Sequence, residues 1–201
     1  MKTLFIIRHG ETDVNKAQKI QGRSINASIN DTGFRQASAV NDYLKSHPVE
    51  RIVVSSLKRT IETAAPLIER VGLVPESYTE LDEMNFGVLE GKVFPNIRDQ
   101  IEIIHQQWSS GNTSFAPDEG ESPEEVFLRA SGKVHEILKE AEEEHIVFIL
   151  HGRLIRILLS EWLGLGLKNM HQIEHTNGGI NRLFWDGDRF EAEMLNYTGH
   201  L

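Results

Sequence analysis

The chain has 201 residues, 21 Lys and Arg against 30 Asp and Glu, a formal net charge of −9 and no cysteine. It is long enough to bury a sizeable core in one domain spanning 1–201, while disulfides, thiolate catalysis, iron–sulfur clusters and cysteine-ligated zinc are excluded. An acidic chain with no Lys/Arg run of five or more predicts no nucleic-acid and no anionic-membrane partner, and no stretch approaches the roughly 20 apolar residues of a bilayer span, so a cytoplasmic protein is expected.

Residues 2–7, Lys-Thr-Leu-Phe-Ile-Ile, read as a buried strand running straight into Arg8, His9, Gly10, Glu11 and Thr12. An imidazole and a guanidinium at a strand's carboxyl end sit where open α/β sheets bind ligands. Residues 13–31 read as a polar loop from which Asn15, Gln21 and Arg23 could fold back over that point. Phe34, Ala37, Val40, Asn41 and Leu44 then follow helical spacing up to His47-Pro48. A second strand at 51–54 leads through Ser55-Ser56 into a helix carrying Leu57, Ile61, Ala64, Ala65 and Ile68, with a kink or interruption expected at Pro66. This unit brings Ser56, Lys58 and Arg59 to the same sheet edge, with Arg59 in the first turns of the helix, where backbone N–H groups favour an anion.

Residues 71–92 read as a loop bearing the carboxylates Glu80, Asp82, Glu83 and Glu90. Ile97, Ile101, Ile104 and Trp108 restore a helical pattern. The segment 93–120 is expected to be a helical insertion forming a lid or specificity wall, with Phe94, Arg98, Trp108 and Phe115 at its entrance and no role assigned to His105. Ser122 with Glu125 three residues on, and Pro123 between, forms a capping box that starts a helix. The apolar run His145 to Leu150 is the clearest buried strand, and it delivers His151-Gly152-Arg153 and another apolar helix. Residues 169–176 are polar, with His171 and His175. Two final strands, 180–185 and 190–195, form an antiparallel hairpin around Asp186-Gly187-Asp188.

Two strand-His-Gly units in a parallel-sheet pattern bring His9 and His151 to one edge. Metal ligation competes as an explanation, but the histidines lack familiar ligand clustering and Arg8 would repel a cation. Phosphoryl transfer accounts for more residues. A phosphate monoester needs several fixed cationic or N–H donors, which Arg8, Arg59 and His151 supply. A neutral histidine, its other nitrogen held by a carbonyl, can attack phosphorus, and a carboxylic acid of the 80s loop, kept protonated by partial burial, can protonate the leaving alkoxide.

The set Arg8-His9-Gly10-Glu11-Thr12 with Asn15, Gln21-Gly22, Ser55-Ser56-Leu57-Lys58-Arg59-Thr60 with Thr63-Ala64, Leu81-Asp82-Glu83 with Gly87 and Glu90-Gly91, and Leu150-His151-Gly152 resembles the histidine phosphatase superfamily, the phosphoglycerate-mutase-like clan, in its small bacterial phosphatase branch. The resemblance spans nearly the whole chain. It implies a three-layer α/β/α fold, a mostly parallel central sheet with helices on both faces and the 93–120 insertion over the sheet's carboxyl edge. It further implies His9 as the phosphorylated residue, Glu83 as general acid and later base, Arg8, Arg59 and His151 as the phosphate pocket, Asn15 as an additional contact, and Gln21 and Gly22 lining the site.

A metal-independent enzyme without a cofactor is implied, acting on a small-molecule phosphate monoester as a monomer or homodimer. The chain departs from the family at 23–29, which lack the usual Asp and Ser/Thr-Pro-Leu, and at Val14, where Trp is common. Mutase activity is the first alternative, although 92–120 holds Arg98 alone and no arginine pair. A non-catalytic phosphate-binding module is the second.

Overall fold

A computed structural model describes residues 1–201. In chain order the strands are β1 (Lys2–Arg8), β2 (Arg51–Ser55), β3 (Glu76–Tyr78), β4 (His145–Leu150), β5 (Ile180–Trp185) and β6 (Phe190–Tyr197). The helices are α1 (Asp13–Lys16), α2 (Asp31–Tyr43), α3 (Lys58–Val71), α4 (Arg98–Ser109), α5 (Pro123–Glu140) and α6 (Gly152–Trp162). The strands form one sheet in the order β3-β2-β4-β1-β5-β6, in which β5 alone runs against the rest.

Because successive strand side chains point to opposite faces, β1 feeds two cores. Phe5 and Ile7 pack with Val40 and Leu44 of the α2 segment, Ala64 and Leu67 of α3, and Val147 and Ile149 of β4. Leu4 and Ile6 face the other way, toward the larger core containing Ile101 and Trp108 of α4, Val126 and Val134 of α5, and Leu154 and Leu158 of α6. This is the expected three-layer arrangement, α2 and α3 on one face and α4, α5 and α6 on the other. Ile6 is 1% exposed, so Ile6→Ala would cost about 2–5 kcal/mol through lost burial and the cavity left behind.

The capping box at Ser122 is present. Ser122 Oγ accepts from the Glu125 N–H, and the Glu125 carboxylate returns the bond to the Ser122 N–H. The hairpin of β5 and β6 forms as expected.

Four local expectations are corrected. Helix α3 continues through Pro66 and stops only at Gly72, whose φ of 71° favours a residue without a side chain. Residues 13–31 are not all loop, because α1 is capped reciprocally by Thr12 and Asn15. The stretch 71–92 contributes the short edge strand β3. Phe34, expected on the buried stripe of α2, is 52% exposed. No helix is long and apolar enough to cross a membrane.

Candidate active site

His9 leaves β1 at the sheet's carboxyl edge and is buried. Its backbone N–H donates to Leu150 O of the neighbouring strand, and Asn177 Nδ2 donates to its carbonyl at 2.9 Å. The ring Nδ1 lies 2.7 Å from Gly10 O. A carbonyl only accepts, so Nδ1 carries the proton and the Nε2 lone pair is left without a partner in the fold. Burial first, then Arg59 and Arg8, push His9 well below the ordinary histidine pKa, so the ring is neutral at pH 7.

The close turn after His9 depends on Gly10. A side chain there would bring its first carbon to 2.6 Å from Gly33 O at the start of α2.

Arg8, His9, Asn15, Gln21, Gly22, Arg59 and Glu83, seven residues singled out in the sequence, line a single pocket of 240 Å³. Arg8 Nη1 donates to both Nδ1 and O of His175 at 3.0 Å, while its Nε is buried without a partner. Gln21 accepts from Thr12 Oγ1 at 2.9 Å, and its own Nε2 is likewise buried and unpartnered. Asn15 uses Oδ1 to accept from Thr12 N and Asn177 Nδ2. Arg59 is 1% exposed and is held by three neutral acceptors, Gly22 O at 2.8 Å, Ile25 O at 3.0 Å and His151 Nδ1 at 3.2 Å. Burial, opposed by Glu83, lowers both Arg8 and Arg59 to about 10, so each remains a cation at neutral pH.

Glu83 is also buried, but not as an isolated acid. Oε1 accepts from Met84 N at 2.9 Å and Leu154 N at 3.0 Å, and Oε2 accepts from Arg153 N at 3.0 Å. Two of those donors belong to the first turn of α6, where unpaired N–H groups point outward. Together the three N–H groups fix the position of the carboxyl at the pocket wall. Arg129 fixes the loop itself by donating to the carbonyls of Glu80, Asp82 and Glu83 at 2.7, 2.9 and 3.2 Å, and it pairs with Glu121 at 2.7 Å.

His151 requires a correction of place. Its side chain does not line the pocket but sits fully buried behind His9, ring centroids 5.3 Å apart. Arg59 Nε can only donate, so His151 Nδ1 accepts and Nε2–H donates to Ser55 Oγ at 2.8 Å. Both nitrogens are thus engaged by Arg59 and Ser55, and it is Gly152, the first residue of α6, that lines the pocket. Burial, then Arg59 and His9, hold this ring neutral as well.

Two other loop carboxylates are structural. Asp82 accepts from Ser56 N and Oγ at 2.9 and 2.8 Å, and Glu90 braces the 22–24 turn through Arg23 N and Ser24 N. Arg23 turns to Asp82 and Glu121 instead of the pocket, and Lys58 is exposed. Of the expected entrance residues none lines the His9 pocket: Phe94 and Arg98 are exposed, Phe115 borders an apolar groove and Trp108 borders a neighbouring hollow. Lys19, Phe86, Arg153 and His175 line the pocket without having been foreseen. For Arg153 a signal existed, since it occupies the second position of the helix following a strand-end motif, as Arg59 does. His175 sits in a polar stretch that offered none. No group of three or more His, Asp or Glu is placed to hold a metal ion.

An α/β sheet that presents an unpaired imidazole nitrogen among buried arginines and unpartnered amide donors defines an anion-handling site. The chain belongs to the histidine phosphatase superfamily (branch 1), whose sequence profile matches residues 4–198. It is 28% identical over 206 residues to the probable phosphoglycerate mutase GpmB of Yersinia pestis (strain Pestoides F), covering 100% of this chain and 95% of the relative. Among solved structures, the mycobacterial glucosyl-3-phosphoglycerate phosphatase complexed with VO3 superposes with a TM-score of 0.89 at 28% identity, covering 98% of this chain and 100% of that one. The phosphoserine phosphatase of Entamoeba histolytica in complex with 3-phosphoglyceric acid gives 0.87 at 25% identity, covering 100% and 99%.

Proposed function

We propose that the protein is a metal-independent phosphomonoester hydrolase that works through a covalent phosphohistidine on a small phosphorylated metabolite. The observation that carries this reading is the free Nε2 of a neutral His9, lining the same pocket as the unpartnered Arg8 Nε and Gln21 Nε2. A neutral imidazole is a nucleophile and an orphaned donor is an anion ligand; together they fit a phosphoryl group better than a neutral substrate.

In the first step the Nε2 lone pair attacks phosphorus. The bond from phosphorus to the ester oxygen breaks, and the departing oxygen takes the proton of the Glu83 carboxyl. The N–H groups of Met84, Arg153 and Leu154 hold the carboxylate that remains. In the second step that carboxylate removes a proton from water as the water oxygen attacks phosphorus, the P–N bond breaks and the electron pair returns to His9. Arg8 and Arg59 steady the phosphoryl oxygens, Asn15 Nδ2 and Gln21 Nε2 add donors, and His151 acts on the phosphate through Arg59.

Mutase activity is the second reading, favoured by the name of the Yersinia relative. Against it, Arg98 is exposed and the 92–120 segment supplies no arginine to the pocket. Phosphate release from a phosphomonoester panel, measured beside isomerisation of 3- to 2-phosphoglycerate with and without chelator, tests the proposal. Release that survives chelation is expected. Efficient isomerisation with little release would overturn hydrolysis in favour of the mutase, and phosphate binding with neither activity would leave a binding module.

A further inference from the structure

Beyond the His9 pocket lies a second hollow of 180 Å³ whose lining includes His105, Trp108, Arg153, Lys168 and His171 and no carboxylate. In a chain of net charge −9 that is a local concentration of positive and N–H donor groups. Arg153 is the shared wall, lining both spaces. Its backbone N–H is committed to Glu83, its guanidinium carbon stands 5.3 Å from the Trp108 ring centroid, and its Nη1 is shut off from solvent with no hydrogen-bond partner. Burial, with repulsion from Arg156, lowers it to about 10, which leaves it cationic at neutral pH. Stacking on Trp108 explains where the side chain lies but not the orphaned donor, since buried guanidinium groups ordinarily satisfy theirs.

We propose that this hollow is a leaving-group subsite for a second anionic group, a carboxylate or a second phosphate, carried by the phosphomonoester, with Arg153 Nη1 as its main donor and Lys168 and His105 beside it. This rests on the phosphatase reading and narrows it to substrates whose alcohol portion is itself acidic. The position of Arg153 gives the reason: its main chain orients the carboxyl that protonates the leaving oxygen, and its side chain reaches the far end of the same leaving group.

The test compares matched pairs that differ only in the second group, glycerol 1-phosphate against 3-phosphoglycerate, and 1,3-propanediol monophosphate against its bisphosphate. For the wild type, kcat/KM should favour the anionic member of at least one pair by about tenfold or more, the pair identifying carboxylate or phosphate. Arg153→Met should bring that ratio toward one, and Arg153→Lys should restore part of it. A wild-type ratio near one in both pairs, or a ratio unmoved by Arg153→Met, would overturn the subsite. Calorimetry of the same compounds with the His9→Ala protein reads the subsite without turnover, and equal affinity within both pairs would also overturn it. Loss of the phosphatase reading has a different signature: no phosphate release and no phosphohistidine from any of the four compounds, whatever the binding ratio.

Discussion

Arg59 Nε donates to His151 Nδ1 across 3.2 Å, so the guanidinium facing the pocket is aimed by an imidazole that does not reach the pocket. The chain continues from His151 Nε2 to Ser55 Oγ at 2.8 Å. Ser55→Ala would leave the Nε2–H of a fully buried ring without an acceptor, at a cost of about 1–3 kcal/mol. We expect urea denaturation to show that loss, together with a fall in kcat/KM milder than that of His9→Ala. Unchanged stability would mean that Ser55 does not orient His151.

In the proposed mechanism His9 and Glu83 carry separate chemical roles. His9→Ala should abolish acid-labile, base-stable phosphoprotein and turnover together, while Glu83→Gln should retain phosphate binding and lose kcat by about 10²-fold or more, as removal of a general acid does. Rapid-quench labelling with a radioactive monoester distinguishes them. Near-wild-type turnover by His9→Ala would remove the mechanism.

Neutral, buried histidines make the fold sensitive to acid. His9 and His151 sit well below their unfolded value of 6.5, and His175 is pushed to about 2 by burial and by Arg8. Below 6.5 the unfolded chain binds protons that the folded chain refuses. The stability these groups contribute is therefore complete above 6.5 and is lost as pH falls from there toward their folded values. For His9 and His151 the slope should approach roughly 1 kcal/mol per pH unit each. Denaturation midpoints at pH 7, 6 and 5 should fall in sequence, and a flat profile would contradict the burial of neutral rings. The same shift keeps His9 neutral below pH 6, so under the proposed mechanism single-turnover phosphorylation of His9 should not show an acid limb near 6.5.

Arg129 touches neither His9 nor the pocket, yet it holds three carbonyls of the loop that carries Glu83. Arg129→Met would strand those acceptors and leave Glu121 with only the Asn85 N–H and the more distant Arg23, costing about 2–4 kcal/mol. Its positioning role should appear as a loss in kcat with little change in KM, and Arg129→Lys should recover part of it. A loss of stability with intact kcat would make it a structural residue only.

How far the sequence could be read depended on whether a residue's partner lay nearby. Arg8, His9, Arg59 and Glu83 stand in compact strand-turn patterns, and the structure brings them around one pocket. Phe34 shows where hydrophobic periodicity fails. The face of α2 that meets the sheet edge is marked by Gly33, Ala37 and Val40, and Gly33 is there because it packs against Gly10. A small residue that marks a close approach carries no hydrophobic signal. Likewise α3 turns Arg59, Thr60 and Thr63 inward and leaves Ile61 39% exposed, since that helix supports the site as well as the core. His151 was legible as a site residue but not as one facing away, because its orientation depends on Arg59 and Ser55 together. His175 and Asn177 lie more than 160 residues from their partners Arg8 and His9, beyond any local pattern.

The central strand has a cost in time. Strand β1 pairs only with β4 and β5, residues 145–150 and 180–185, so a nascent chain carries Leu4 to Ile7 unpaired until those segments emerge. At about 5–20 residues per second the wait is roughly ten seconds or longer, during which an apolar strand has no sheet to join. The segment that ends at His9 is thus made well before the strands that enclose it, and refolding from denaturant should be slow and concentration-sensitive for the same topological reason.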